Sequence, residues 1–304
     1  MYLQYYLKQL GYFELPNFLV KYLKAPSLLR LKDIGYFCGM DYASKDIYNF
    51  REYISRYDHS ITVCLIVYRL TKNITESLAG LFHDIATPCF SHVIDYMNQD
   101  YEKQESTEEY TEKILKNDKY VLQCLKEDSI DIDDIINFKK YSIVDNERPK
   151  VCADRIDGVI LTGIGWTKNI DMEDIKRIVQ DMCIFKNEYG EDEIGFKTKS
   201  IAKKVTQVSK SINIYCHSYE DNYMMQLLAK TVKLAIDKKY IIYEELYSYT
   251  EKKLFKLLKE QKDEELQNLI DEFESKKLID IPKIELPNVK IRDLNPIVNG
   301  KRIK

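Results

Sequence analysis

Apolar residues recur along most of this chain at helical spacing. Over 57–70, His59, Thr62, Val63, Ile66 and Val67 fall on one face of a predicted helix. Residues 74–84 give a second apolar helix through Ile74, Leu78, Leu81 and Phe82, ending at the pair His83-Asp84. Pro88 suits a first-turn position, so a further helix is expected to run from Thr87 to about Met97. Helices are also predicted over 104–116, 118–127 and 131–139 and, after a break at Asn146 to Pro149, over the largely apolar stretch 150–162.

The pattern changes at 181–198, where MCIFKNE and EIGFKTK flank Tyr189-Gly190-Glu191-Asp192 and predict a β-hairpin. One long helix is expected from about 200 to 237, then shorter ones over 243–248, 250–260 and 263–274. Pro282, Pro287 and Pro296 interrupt the tail, which predicts extended structure there. The expected class is mainly α. A helical core with N-terminal helices spans 1–175. A C-terminal portion over 176–304, with the hairpin, the long helix, short helices and the tail, is expected to pack on it.

Composition narrows the picture only a little. The 304 residues are 45% apolar and 31% charged, ordinary for a soluble globular chain. With 46 basic and 49 acidic residues the formal charge is −3, which gives no electrostatic reason to expect a nucleic-acid partner. Seven cysteines, an odd count without any CxxC pair, predict free thiols in a reducing compartment. No uncharged apolar run reaches the ~18 residues of a membrane span, and the N-terminus lacks the marks of a signal peptide. A cytoplasmic protein without a membrane partner is expected.

The chemistry lies in a few residues. His59 sits on an apolar stripe, where an unpaired imidazole is costly to bury. His83 and Asp84 close a second apolar helix. Asp154 lies among Val151, Cys152, Ile156 and Val159, where a buried carboxylate needs a partner. One divalent cation shared by the four would satisfy all of them, and imidazole with carboxylate suits Mn, Fe, Ni, Co, Zn or Mg. Arg56, one turn before His59, and Arg155, beside Asp154, are candidate contacts for phosphate oxygens; the alternative for each is a solvated charge. GxGxxG, GxxxxGK[ST] and GxSxG are all absent.

Four segments taken together resemble a known family. Arg56-Tyr57-Asp58-His59, Gly80-Leu81-Phe82-His83-Asp84, Phe90-Ser91-His92-Val93-Ile94-Asp95 and Asp154-Arg155-Ile156-Asp157 are similar to motifs of the HD-domain phosphohydrolases. The Phe-Ser-His segment resembles the deoxynucleoside triphosphate triphosphohydrolase-like branch, and the similarity runs over about 25–300, including Val289 to Pro296 in the tail. The resemblance implies a helical HD core in which His59, His83, Asp84 and Asp154 hold one divalent metal ion. It implies a metal-activated water attacking phosphorus, with Arg56 and Arg155 on phosphate oxygens. The expected partner is a small phosphorylated substrate, in particular a nucleotide, and the family suggests a homo-oligomer.

Departures from the family pattern bear on activity. Where triphosphate-cleaving members carry histidines, this chain has Thr87 and, in a His-Glu pair, Gln104-Glu105. Neither Thr nor Gln titrates near neutral pH. Gly158 and Thr162 stand where the family has a sugar-contacting tyrosine and aspartate. His92 and Asp95 are one turn apart and form either a proton-handling couple or a helix-stabilising pair. His217 is expected to contribute hydrogen bonds or surface. The leading expectation is a metal-dependent phosphohydrolase. A catalytically weak or inactive nucleotide-binding regulator and an interaction module built on the charged C-terminal helices are the alternatives.

Overall fold

Ser55 and Asp58 start the central helix, Arg56–Thr71, with a capping box. The Asp58 backbone N–H donates to Ser55 Oγ at 3.2 Å, and the Ser55 N–H donates back to Asp58 Oδ2 at 2.8 Å. Lys72, in the left-handed region at φ 57, ends it, and Asn73 caps the next helix, Ile74–Phe82, through the Glu76 N–H. The two pack tightly as an antiparallel pair. A Cβ on Gly80 would lie only 3.3 Å from Val63 and 3.4 Å from Val67, so glycine lets the backbones approach there. A third helix, Ala153–Gly165, lies against the Arg56–Thr71 helix. These three elements bring the motif residues together. A computed structural model describes residues 1–104, 108, 110–284 and 286–303.

The mainly α class holds, with one small sheet. Strands β1 (Met182–Lys186) and β2 (Asp192–Phe196) form the expected hairpin. The tail extends it: β3 (Ile297–Val298) pairs parallel to β2, and β4 (Lys301–Arg302) pairs antiparallel to β3. A continuous apolar core runs from Leu3 to Leu294.

Two predicted helices differ. The stretch 200–237 is two helices, Lys199–Cys216 and Tyr219–Asp237, because Ser218 adopts an extended backbone and caps the second through the Asp221 N–H. Between Thr87 and Met97 only Val93–Met97 is helical. Phe90 and Ser91 before it take left-handed φ values of 66 and 48, and the Phe90 N–H is held by the buried Glu251 carboxylate at 3.0 Å. The helix expected over 104–116 is seen over Thr111–Asn117, and Glu105 lies outside the described residues.

Some charges of the C-terminal helices are used internally. Lys259 pairs with Glu274 at 2.5 Å and Asp263 with Lys238 at 2.6 Å, so they tie neighbouring helices together. Among the described residues no helix is long and apolar enough to cross a membrane. All seven cysteines are free.

Candidate metal centre and its cavity

His59 projects from the second turn of its helix into the interior and is 1% exposed. Its Nδ1 lies 2.7 Å from Asp157 Oδ2, which fixes the ring and turns Nε2 toward Asp154 Oδ1, 3.2 Å away. Asp157 is fully buried and also accepts the Tyr6 hydroxyl at 2.7 Å. This carboxylate–imidazole couple has the form of the outer support that fixes a metal-ligating histidine.

His83 follows the last turn of the Ile74–Phe82 helix. Its Nδ1 donates to the Gly80 carbonyl at 2.7 Å, so Nε2 is the nitrogen turned toward the cluster. That Nε2 is buried and has no hydrogen-bond partner among the described residues. The nearest carboxylate oxygens, Asp84 Oδ1 and Asp154 Oδ1, are both 3.7 Å away. A buried polar atom left open like this is costly unless something fills the space it faces.

A divalent cation fits that space. Donor atoms of His59, His83 and Asp154 all lie within 4.8 Å of one another. Donors each about 2.0–2.3 Å from one ion lie within roughly 4.6 Å of each other. Asp84 stands at the edge of this trio: its Oδ2 is 3.7 Å from His59 Nε2 and accepts Arg56 Nη1 at 2.7 Å.

The electrostatics agree with the donor set. Burial opposes charge on His59, yet Asp154 and Asp157 outweigh it and lift the imidazole to about 10. Burial likewise works against ionised Asp154, but the facing imidazoles hold it well below the carboxylate range. Without a cation the cluster neutralises its carboxylates with imidazole protons, which a bound ion would displace.

Around the cluster lies a cavity of about 840 Å³. Arg56 lines it and is 6% exposed, so it is not a solvated surface charge. Its guanidinium lies over the Tyr36 ring at 5.0 Å. Arg155 also lines the cavity, but its guanidinium is engaged with Asp145 at 2.9 Å, the Lys150 carbonyl at 3.0 Å and the Asn146 side chain. It fastens the 145–150 loop.

His92 lines the same cavity, and its Nδ1 is 2.8 Å from Asp95 Oδ2; Asp95 is 1% exposed. Burial lowers the His92 pKa despite Asp95, so the ring is neutral at neutral pH with Nε2 unclaimed by that pair.

The departing positions have local tasks. The Thr87 hydroxyl donates to the Asp84 carbonyl at 2.8 Å, and Gln104 Oε1 accepts Arg292 Nη2 at 2.6 Å. At Gly158 a Cβ would come within 2.9 Å of the Tyr36 hydroxyl, so Tyr36 occupies the space a larger residue would need. Thr162 borders the cavity. His217 makes hydrogen bonds, to the Asn213 carbonyl at 2.7 Å and the Val289 carbonyl at 3.2 Å, and so anchors the tail.

Sequence reasoning assigned no role to Asp157, Lys290 or Arg292, although they lie in segments that resemble the family, and did not single out Tyr36 or Arg148. Asp157 carried a usable signal, one helical turn after Asp154 in an apolar run. Periodicity gave no signal for the others, because they reach the cavity from segments without a periodic pattern.

Comparison with known proteins agrees with this arrangement. The chain is 24% identical over 268 residues to the uncharacterized protein YdhJ of Bacillus subtilis, a match covering 86% of this chain and 76% of that protein. It is 25% identical over 132 residues to the metal-dependent phosphohydrolase cns2 of Cordyceps militaris, covering 43% of this chain and 37% of that protein. The family model described as the HD domain matches residues 56–235, from the start of the His59 helix to near the end of the Tyr219–Asp237 helix. With its two imidazoles and the adjoining Asp inside that span, the chain belongs to the HD-domain family.

Proposed function

We propose that this chain is a metal-dependent phosphohydrolase acting on a nucleotide, in the manner of the deoxynucleoside triphosphate triphosphohydrolase-like branch. One observation carries the reading: a single cavity joins His83, Asp84 and Asp154 of the cluster to Arg56 and to an aromatic wall of Phe37, Tyr48, Phe50 and Trp166. The cluster and Arg56 suit a phosphate, and the wall suits a flat apolar group such as a base. Phe37 and Phe50 stack at 4.3 Å, and Trp166 meets Tyr48 at 5.9 Å, so the wall is held by its own contacts. The relative named as a metal-dependent phosphohydrolase supports the reaction class.

His59, His83 and Asp154 would hold the ion, with Asp84 at its edge. A bound divalent cation supplies an activated water and neutralises charge developing at phosphorus. Arg56, fixed by Asp84, presents its remaining N–H groups to phosphate oxygens; its Nε is buried without a hydrogen-bond partner among the described residues. His92 takes up or returns a proton at Nε2 while Asp95 holds the ring through Nδ1.

A second reading, a nucleotide-binding regulator of feeble activity, is favoured by Thr87 and Gln104, whose side chains are already committed to Asp84 and Arg292. Nucleoside mono- and triphosphates incubated with Mn²⁺, Co²⁺, Ni²⁺ or Mg²⁺, with products identified, separate the two. The phosphohydrolase reading expects turnover that His83→Ala abolishes. Thermal stabilisation by a nucleotide without turnover under any of these metals would overturn it in favour of the regulator.

A further inference from the structure

The tail runs along the cavity as an irregular extended segment fixed from both sides. The Lys290 N–H donates to the Tyr101 carbonyl at 3.0 Å, and the Arg292 N–H donates to Asn213 Oδ1 at 2.9 Å. The Ser209 hydroxyl donates to the Arg292 carbonyl at 2.7 Å, and the Asn295 N–H donates to the Pro149 carbonyl at 2.9 Å. The last bond ties the tail to the loop that carries Arg148. Arg148, Lys290 and Arg292 all line the cavity that His83, Asp84 and Asp154 also line.

These three cations differ from the others there. Arg56 is paired with Asp84 at 2.7 Å, Lys139 with Glu108 at 2.6 Å and Arg155 with Asp145 at 2.9 Å. Among the described residues, none of Arg148, Lys290 and Arg292 has a carboxylate within the 4.0 Å of an ion pair. Lys290 Nζ donates to the neutral Lys103 carbonyl at 2.7 Å, and Arg292 to the neutral Gln104 amide. Burial, then the Arg292 and Arg155 charges, pull Arg148 down to about 10, and burial with Arg292 and Arg148 lowers Lys290. Three like charges gathered in a recess cost stability unless an anion offsets them.

We propose that Arg148, Lys290 and Arg292 form an anion subsite for a second phosphate group of the substrate, apart from the phosphate at the metal cluster. The favoured substrates then carry at least two phosphates, and monoesters bind through one end only. The occupant rests on the phosphohydrolase reading; the subsite itself does not depend on turnover.

Chelator-treated protein titrated calorimetrically with inorganic tripolyphosphate and with orthophosphate isolates the subsite, since neither hydrolysis nor a metal contributes. Tripolyphosphate is expected to bind at least about tenfold more tightly, each charge-assisted contact being worth roughly that factor. Arg148→Gln, which removes a guanidinium with no hydrogen bond to lose among the described residues, is expected to cut the ratio of the two affinities about tenfold. Arg292→Lys, which keeps the charge but not the fork, is expected to cut it less. Tripolyphosphate is also expected to displace a bound nucleoside triphosphate. The proposal is overturned if wild-type protein does not prefer tripolyphosphate, if both variants retain the wild-type ratio, or if the two ligands bind together. Absence of turnover with this preference intact would remove the phosphohydrolase reading and leave the subsite standing.

Discussion

Replacing Asp157 with Asn probes how the metal cluster is supported without touching a proposed ligand. Asp157 accepts two buried donors, His59 Nδ1 and the Tyr6 hydroxyl, each at 2.7 Å. Asparagine keeps the shape, removes the charge and leaves one accepting oxygen. If that oxygen serves His59, the Tyr6 hydroxyl must turn round and accept from the amide nitrogen. If the amide is flipped, His59 Nδ1 faces a donor and the ring loses the bond that fixes its tautomer. Loss of such an outer partner ordinarily weakens metal binding by about 10–100-fold, or about 1.4–2.7 kcal/mol. Tyr6→Phe, which spares the carboxylate, is expected to weaken it several times less. Zinc affinity measured by competition with a chromophoric chelator, with melting of the metal-free proteins as a folding control, reads the difference. A folded Asp157→Asn variant with wild-type zinc affinity would refute the claim that Asp157 orients His59 for metal.

Other consequences follow from single contacts. Burial lifts Glu251 from 4.5 to about 8, even though the Gly35 and Phe90 N–H groups donate to it. The unfolded chain releases this proton first, so the folded state loses stability as pH rises from 4.5 to about 8 and levels off above. The ceiling on that loss is roughly 5 kcal/mol. Urea melts of wild type and Glu251→Gln at both ends of the window should show a flatter pH dependence in the variant; parallel curves would contradict the assignment. Arg155→Gln should destabilise by about 1–3 kcal/mol through the loss of its buried bonds to the 145–150 loop, read as a lower denaturation midpoint; an unchanged midpoint would show that those bonds carry nothing. Gly80→Leu should push the His83 helix away from Val63 and Val67, costing about 1–3 kcal/mol and weakening metal binding. Metal affinity unchanged in that variant would argue that the helix approach does not set the site.

Apolar residues at helical spacing made the helices bearing His59, His83 and Asp154 legible, and each is buried at consecutive positions over its central turns. The convergence of His59, His83 and Asp154 was legible too, since imidazoles and carboxylates on separate apolar helices need a common partner. What escaped the sequence depends on contacts distant along the chain. Arg155 read as either a phosphate contact or a solvated charge, but Asp145 and Asn146, ten and nine positions earlier, turn its guanidinium into the loop. The helix expected from Thr87 is replaced by a left-handed turn that Glu251 holds from 161 positions away. Lys290 and Arg292 lie in a proline-flanked tail whose periodicity says nothing about where it is anchored. The break at Ser218 was signalled by a good capping residue, but the apolar rhythm runs through it.

Metal analysis by inductively coupled plasma mass spectrometry, on wild-type protein and His83→Gln purified side by side without chelator, tests the central claim most directly. The account predicts one divalent ion per wild-type chain and none in the variant. Wild-type protein that is metal-free and does not take up Mn²⁺, Fe²⁺, Co²⁺, Ni²⁺ or Zn²⁺ on loading, or a variant that retains a full equivalent, would contradict it.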